Sequence, residues 1–208
     1  MLRFVTVNRP VFAFRHDGHG DSIGIARAHG NGRRKKSDGK GRGTGSFGAK
    51  RRPEKVHDIL IAGAGPAGST AAREAGKKGL SVLLIDKEAF PRPKPCGGGL
   101  SEKALGYLDE PLPEGLKKKE VSGIRFRFGN CCLEGRAGTR IATMISRAAF
   151  DHFLVRRAVD AGIALHENER ALRYEERTDG IRLFTSRGVR DGKYLIIAEG
   201  SQGPLTRQ

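Results

Sequence analysis

The stretch His57-Asp58-Ile59-Leu60-Ile61-Ala62-Gly63-Ala64-Gly65-Pro66-Ala67-Gly68 decides the fold. Its first six residues form a short apolar run of strand length with β-branched content. That run passes without a break into glycines spaced as Gly-x-Gly-x-x-Gly. Ser69 to Lys78 then reads as a helix carrying Ala71, Ala72 and Ala75 on one small-residue face. Gly76 is a weak point in that helix, and Gly79 is a suitable stop. Leu80-Ser81-Val82-Leu83-Leu84-Ile85 follows as a second buried strand and ends at Asp86. The whole is a βαβ unit.

Each part of the unit has a physical reason. Gly63 permits the tight turn out of the strand, Gly65 lets the main chain approach a pyrophosphate, and Gly68 lets the helix pack closely on the sheet. The helix N-terminus offers free N–H groups and the positive end of its dipole to phosphates. Asp86 stands where a carboxylate accepts hydrogen bonds from ribose hydroxyls. An acid there disfavours a 2′-phosphate, so FAD or NAD is preferred over NADP. A Gly-x-Gly-x-x-Gly run alone is a weak signal, but here the strand, the helix and the acid agree. The competing reading, a glycine-rich turn in an unrelated α/β domain, explains none of that agreement.

The next segment separates the two dinucleotides. Phe90-Pro91-Arg92-Pro93-Lys94-Pro95-Cys96-Gly97-Gly98-Gly99-Leu100-Ser101 combines a proline-stiffened approach with three consecutive glycines. Those glycines free the backbone to come close to something flat or bulky. With these residues the chain resembles the geranylgeranyl reductase family of FAD-dependent oxidoreductases. The matching pieces are Gly63–Gly68 with Pro66-Ala67, the Asp86-Lys87 pair, Phe90-Pro91-Arg92 and Pro95–Ser101. The Pro-Cys-Gly-Gly-Gly run is the most specific of them; aromatic-hydroxylase-type flavin monooxygenases share the first βαβ unit but usually lack it.

Ile141–Ile145 reads as a strand delivering Ser146-Arg147, with Ser146 a plausible N-cap. In the helix that follows, Phe150, Phe153, Leu154, Ala158 and Ala161 share one face. Asp151 and His152 read as ordinary surface positions. The element is similar to the family's Arg-x-x-Phe-Asp motif, whose arginine contacts the flavin cofactor; here that is Arg147, against the plainer reading of a surface charge at a helix start. A strand over Ile163–His166 is expected next, and the resemblance implies a main-chain contact to adenine shortly after it, best matched by Ala171. Strands with hairpin punctuation follow at Ala171–Arg177, Ile181–Ser186 and Lys193–Ala198. Leu195–Ser201 resembles the family's Ala-Asp-Gly strand end with two departures. Glu199 replaces the usual aspartate, and Gly203 stands where a serine is common.

The 208 residues carry 39 Lys and Arg against 23 Asp and Glu, a formal charge of +16. Residues 1–55 hold 14 basic and 4 acidic side chains, so most of the excess lies in the first quarter. The basicity describes a tail, read as a disordered Gly-rich segment over 1–55 ahead of a FAD/NAD(P)-binding Rossmann-type domain over 56–208. Arg33, Arg34, Lys35, Lys36, Arg51 and Arg52 invite a nucleic-acid reading. No aromatic residues interleave with them to stack on bases, so a solvated linker is preferred and nucleic acid is not expected as a partner. The first sixteen residues resemble a targeting peptide only faintly, because Pro10 interrupts them and serine is scarce.

No apolar run long enough for a membrane-spanning helix exists. Three cysteines, two of them adjacent, make no paired disulfide framework and point to a reducing, cytoplasmic setting. Peripheral membrane association is left open, although no amphipathic anchor is evident. Cys131 and Cys132 fall in or near a loop after a strand at Ile124–Phe128, without partners at metal-ligand spacing.

The fold class expected is therefore α/β: a three-layer, Rossmann-like FAD-binding domain on a parallel sheet with part of an antiparallel β excursion. The resemblance implies a FAD site built from Gly63, Gly65, Pro66, Ala67, Gly68, Asp86, Arg92, Cys96, Gly97, Gly99, Arg147 and Ala171. Cys96 is the lone candidate for a catalytic group, with cofactor proximity the preferred reading of it. The family reaction is reduction of carbon–carbon double bonds in isoprenoid lipid chains by reduced flavin, which an external electron donor reloads. The resemblance ends at residue 207 and lacks the family's later motifs. The chain thus reads as the N-terminal half of such a reductase, a truncated product or one completed by another chain, with apolar sheet surface exposed and poor stability alone. The alternatives are another flavoenzyme of the aromatic monooxygenase or halogenase type, and a non-catalytic dinucleotide-binding fragment.

Overall fold

Burial on both faces is what the apolar runs at Leu60–Ala62 and Val82–Ile85 require, and the computed structural model places them at the centre of a parallel sheet. The structure describes residues 3–5, 55–201 and 203–207. In chain order the strands and helices are β1 (Arg3–Val5), β2 (His57–Ala62), α1 (Pro66–Lys77), β3 (Val82–Ile85), β4 (Gly99–Ser101) and α2 (Glu102–Leu105). Then come β5 (Lys117–Val121), β6 (Gly123–Phe128), β7 (Cys131–Arg136), β8 (Ala142–Ile145) and α3 (Arg147–Asp160). The last are β9 (Ala164–His166), β10 (Ala171–Arg177), β11 (Gly180–Thr185) and β12 (Gly188–Ile197).

Strands β9, β3, β2 and β12 lie side by side and parallel, and β12 continues into an antiparallel meander with β11 and β10. The alternation of side chains along β2 and β3 sorts the core into two layers. Ile61, Val82 and Leu84 face Ala72 and Ala75 of α1 and Val155 and Ala158 of α3. Leu60, Ala62, Leu83 and Ile85 face the other way and share a core with Ile181 and Leu183 of the meander. Helices, parallel sheet and antiparallel strands thus make the three layers expected. Gly76, a weak point by propensity, has a packing role: a Cβ there would stand 2.5 Å from Ile163 Cδ1.

Local boundaries moved for identifiable reasons. Helix α1 begins at Pro66 rather than Ser69, because proline fits the first helical position, where its missing N–H costs nothing. Ser146 occupies the N-cap position of α3 with extended backbone but makes no side-chain cap. Cys131 and Cys132 open β7, directly after the Gly129-Asn130 turn that follows β6.

Outside the main sheet, β4, β8 and β5 form a three-stranded antiparallel sheet, and β6 pairs with β7 as a hairpin. Large apolar side chains are exposed on this hairpin, at Ile124, Phe126, Phe128 and Leu133, which is separate from the main sheet where such exposure was expected. The parallel sheet does not end bare at β12, since Arg3–Val5 pairs antiparallel with Leu195–Ile197. Those three residues were expected within the disordered tail. Met1, Leu2 and residues 6–54, with the basic run and most of the targeting-like segment, lie outside the described residues. Among the described residues no helix is long and apolar enough to cross a membrane.

Candidate cofactor site

The βαβ unit builds the floor of the site. Gly63 adopts φ +101°, and a Cβ there would stand 2.6 Å from the Ala198 carbonyl oxygen, so the turn leaves β2 pressed against the end of β12. A Cβ on Gly68 would land on the Gly63 carbonyl oxygen. Gly65 differs from both: the nearest atom to its Cβ position is the Arg92 guanidinium at 3.7 Å. Two of the glycines are needed by the protein itself, and Gly65 leaves space facing outward. Beyond it α1 starts with Pro66 and Ala67, has no acidic residue in its first turn, and presents first-turn amides that lack intrahelical acceptors.

Asp86 is buried at the end of β3. Its carboxylate is already engaged: Oδ2 accepts from the Ala64 N–H at 2.7 Å and Oδ1 from the Glu88 N–H at 3.0 Å. Asp86 therefore pins the glycine turn to the neighbouring strand, in addition to any contact with a ribose. The connection between β9 and β10 clamps the same loop, because the Asp86 N–H donates to the His166 carbonyl and the Glu169 N–H to the Asp86 carbonyl. Glu169, not singled out by the sequence reading, is buried and accepts from the Thr185 hydroxyl at 2.6 Å, with Arg190 and His166 also on its carboxylate. Its approach to the Asp86 loop is a matter of tertiary register, which no local pattern announces.

From Asp86 a line of alternating charges crosses the site. Arg92 Nε lies 3.9 Å from Asp86 Oδ1, and an Arg92 terminal nitrogen lies 3.7 Å from Asp151 Oδ2. Asp151 in turn takes a two-pronged grip from Arg147, at 2.8 Å to Oδ1 and 3.1 Å to Oδ2. Asp151 is 0 % exposed, which overturns its reading as a surface position; its neighbour His152 is half-buried. The cause is α3's rotation: the residue four positions after Arg147 shares its face, and that face turns inward. The i, i+4 spacing of arginine and aspartate was the signal available in the sequence. Arg147 itself is held by Asp151, which raises its pKa, so it is no free helix-start charge.

Cys96 sits at the far end of this line. Its thiol accepts from the Gly98 N–H at 3.4 Å, and that contact, followed by the nearby Arg147, holds its pKa below the ordinary thiol value. Gly98 in turn packs on the Ile145 carbonyl at the end of β8, while the Cβ positions of Gly97 and Gly99 meet nothing closer than Met144 Sδ at 3.7 Å from Gly99. In a Cys131→Ser/Cys132→Ser background, Cys96 is expected to be alkylated by iodoacetamide with a pH midpoint below that of a free thiol, about 8.5. Arg147→Gln should move that midpoint upward; an unchanged midpoint would mean that Arg147 does not act on the thiol. Among the described residues no cluster of His, Cys, Asp and Glu could hold a metal.

The structure thus brings Gly63–Gly68, Asp86, Arg92, Cys96 and Arg147 into one continuous line. Ala171 is only partly of a piece with them. It opens β10 two residues after Glu169 of the clamp on Asp86, and its side chain is buried in the core, leaving main-chain atoms alone to meet a ligand.

Residues 58–196 match the model of the FAD dependent oxidoreductase family. The chain belongs to this family. FAD is accordingly its cofactor, and the site fits it: Gly65 leaves room for the pyrophosphate, and Arg92 Nε is buried without a hydrogen-bond partner beside that room. As a FAD dependent oxidoreductase the chain has relatives of known name. It is 36% identical over 162 residues to digeranylgeranylglycerophospholipid reductase 1 of Methanococcoides burtonii, covering 73% of this chain and 39% of that protein. A geranylgeranyl bacteriochlorophyll reductase-like structure from Thermoplasma acidophilum matches with TM-score 0.58 and 28% identity, over 67% of this chain and 37% of the other. A myxobacterial FAD-dependent chondrochloren halogenase matches with TM-score 0.61 and 26% identity, over 74% and 39% of the two chains. The chain spans about two fifths of the length of these relatives.

Proposed function

We propose that the chain is the FAD-binding portion of a reductase that saturates carbon–carbon double bonds in isoprenoid lipid chains. The observation that carries this reading is the Cys96–Gly99 loop, folded over the end of β8 and joined through Arg147, Asp151 and Arg92 to the glycine turn. Such a connected wall supports a dinucleotide lying with its phosphates at the glycine turn and its reactive ring toward Cys96. When bound, FAD supplies the hydride chemistry, reloaded by an external electron donor. The protein's own residues bind and orient. The first-turn amides of α1 and the Arg92 guanidinium meet the pyrophosphate, Asp86 reaches the ribose, and the Ala171 main chain faces the adenine. Gly97 and Gly99 let the backbone approach the ring, and Arg147 holds the cysteine loop beside it. Cys96 would lie near the ring on this reading, and no proton donor is assigned.

The halogenase likeness supports the same scaffold with a different chemistry, and the Pro95–Leu100 run favours the reductase. Peripheral contact with a membrane follows from a lipid substrate and is part of this proposal. The first test is the visible absorption spectrum of the desalted protein after incubation with FAD. Retained oxidised-flavin bands are expected; a colourless protein would remove the chain from cofactor binding in this form. Where flavin is retained, return of the oxidised-flavin bands when the reduced, anaerobic protein meets a geranylgeranyl lipid separates the reductase from a halogenase, which would not be reoxidised that way.

A further inference from the structure

The turn that follows β12 carries the two positions where the sequence departs from its relatives' pattern, and the structure shows them fitted to one another. After Ile197 the chain passes through Ala198-Glu199-Gly200 and reaches a short 3-10 turn over Leu205–Arg207. Leu205 is fully buried in the core beneath the parallel strands. The Thr206 hydroxyl donates to the Gly200 carbonyl at 3.0 Å, and the Leu205 N–H donates to Glu199 Oε2 at 3.1 Å. The Glu199 side chain therefore folds back along the turn. It lies across Gly203, where an added Cβ would overlap Glu199 Cβ and stand 2.5 Å from Oε2 and 2.9 Å from Cδ. The glutamate fills the volume that a side chain at 203 would otherwise take.

The main chain of the same residues does something else. The Ala198 carbonyl oxygen and the Glu199 nitrogen lie 2.6 and 2.9 Å from the Cβ position of Gly63, so the end of β12 is the seat on which the phosphate turn rests. We propose that Glu199 is a positioning residue for the cofactor turn: its carboxyl is an internal clasp, packed on Gly203 and bonded to Leu205, that fixes the seat under Gly63. This rests on the reading of Gly63–Gly68 as the FAD phosphate turn. It assigns the longer carboxylate to the protein interior instead of to the ligand, and it makes Gly203 its required partner. Burial raises the Glu199 pKa, against the Leu205 N–H, which acts to lower it.

The test is a double-mutant cycle with two readouts, the FAD dissociation constant from flavin fluorescence and the thermal midpoint of the apoprotein. Glu199→Asp pulls the carboxyl away from Leu205, and Gly203→Ser puts a side chain into occupied space. Each is expected to weaken FAD binding by about tenfold. The pair Glu199→Asp/Gly203→Ser is expected to recover part of that loss, because the shorter acid withdraws the carboxyl group from the serine while its Cβ stays in contact. Glu199→Gln, which keeps the length and an oxygen acceptor, is expected to bind FAD more tightly than Glu199→Asp.

Additive single effects in both readouts would overturn the clasp. A Glu199→Gln protein that loses FAD more severely than Glu199→Asp would overturn it in favour of a charged contact to the ligand. Failure of the unaltered protein to bind FAD would defeat the cofactor reading and the positioning role together, and the apoprotein midpoints would then decide the Glu199–Gly203 pairing by themselves.

Discussion

Asp151→Ala is expected to abolish FAD binding and to lower stability by roughly 3–5 kcal/mol, the usual cost of leaving buried charge without its partner. Asp151 is fully buried and is the only carboxylate that meets both Arg92 and Arg147 among the described residues. Removing it leaves two guanidinium groups, with side chains 14% and 21% exposed, facing each other across the vacated site. Arg147 would turn outward to water and release the Cys96–Gly99 loop, and Arg92 would lose one of its two counter-charges. Asp151→Asn is the informative companion. It keeps the shape and an oxygen but not the charge, so it should retain the fold better than alanine and still weaken FAD. Chemical denaturation of the two variants, with fluorescence titration of FAD, checks both halves; a Asp151→Ala protein as stable as the parent would mean that the arginines repartner freely.

Gly68→Ala and Gly65→Ala are expected to fail in opposite ways, although they are three residues apart in one turn. At Gly68 the new methyl falls on the Gly63 carbonyl, which is backbone and has nowhere to go. The loss should exceed the roughly 1–3 kcal/mol of ordinary overpacking, and the apoprotein should be largely unfolded. Gly65 has an extended main chain at φ −68° and ψ −176° that alanine adopts readily, and its Cβ would meet nothing nearer than Arg92. Gly65→Ala should leave apoprotein stability within about 0.5 kcal/mol of the parent while weakening FAD by about tenfold or more. Circular dichroism melting and flavin titration separate the two. Equal destabilisation by both substitutions would show that the room at Gly65 is not kept for a ligand.

The difference between these glycines also marks what could be read from the sequence. The strand–turn–helix–strand unit was legible because every residue in it obeys a local rule: apolar runs of strand length, glycines at fixed offsets, an acid at the end. The Pro-Cys-Gly-Gly-Gly run was legible by likeness. Asp151 was misplaced because an acidic residue on a helix ordinarily faces water, and only the docking of α3 decides otherwise. Glu169 escaped notice since its partners, His166, Thr185 and Arg190, come from three different strands. The alternating apolar face of the β6–β7 hairpin, unremarked in the sequence, became visible only once pairing aligned Phe126 with Leu133. Residues that act through long-range register leave no mark in a short window.

The pairing of β2 with β12 has a consequence for how the protein comes into being. Ile59 aligns with Tyr194, and the ion pair between Asp58 and Lys193 spans 135 positions of chain. Closing so large a loop costs entropy before any contact repays it, and contacts of such high order form slowly. The phosphate turn rests on Ala198 and Glu199, so it has no seat until β12 has arrived. On the ribosome the glycine motif emerges before β12 and waits for its support. Cofactor capture therefore follows the arrival of β12, and a newly made chain must protect Ile59–Ala62 from other partners until that strand is delivered.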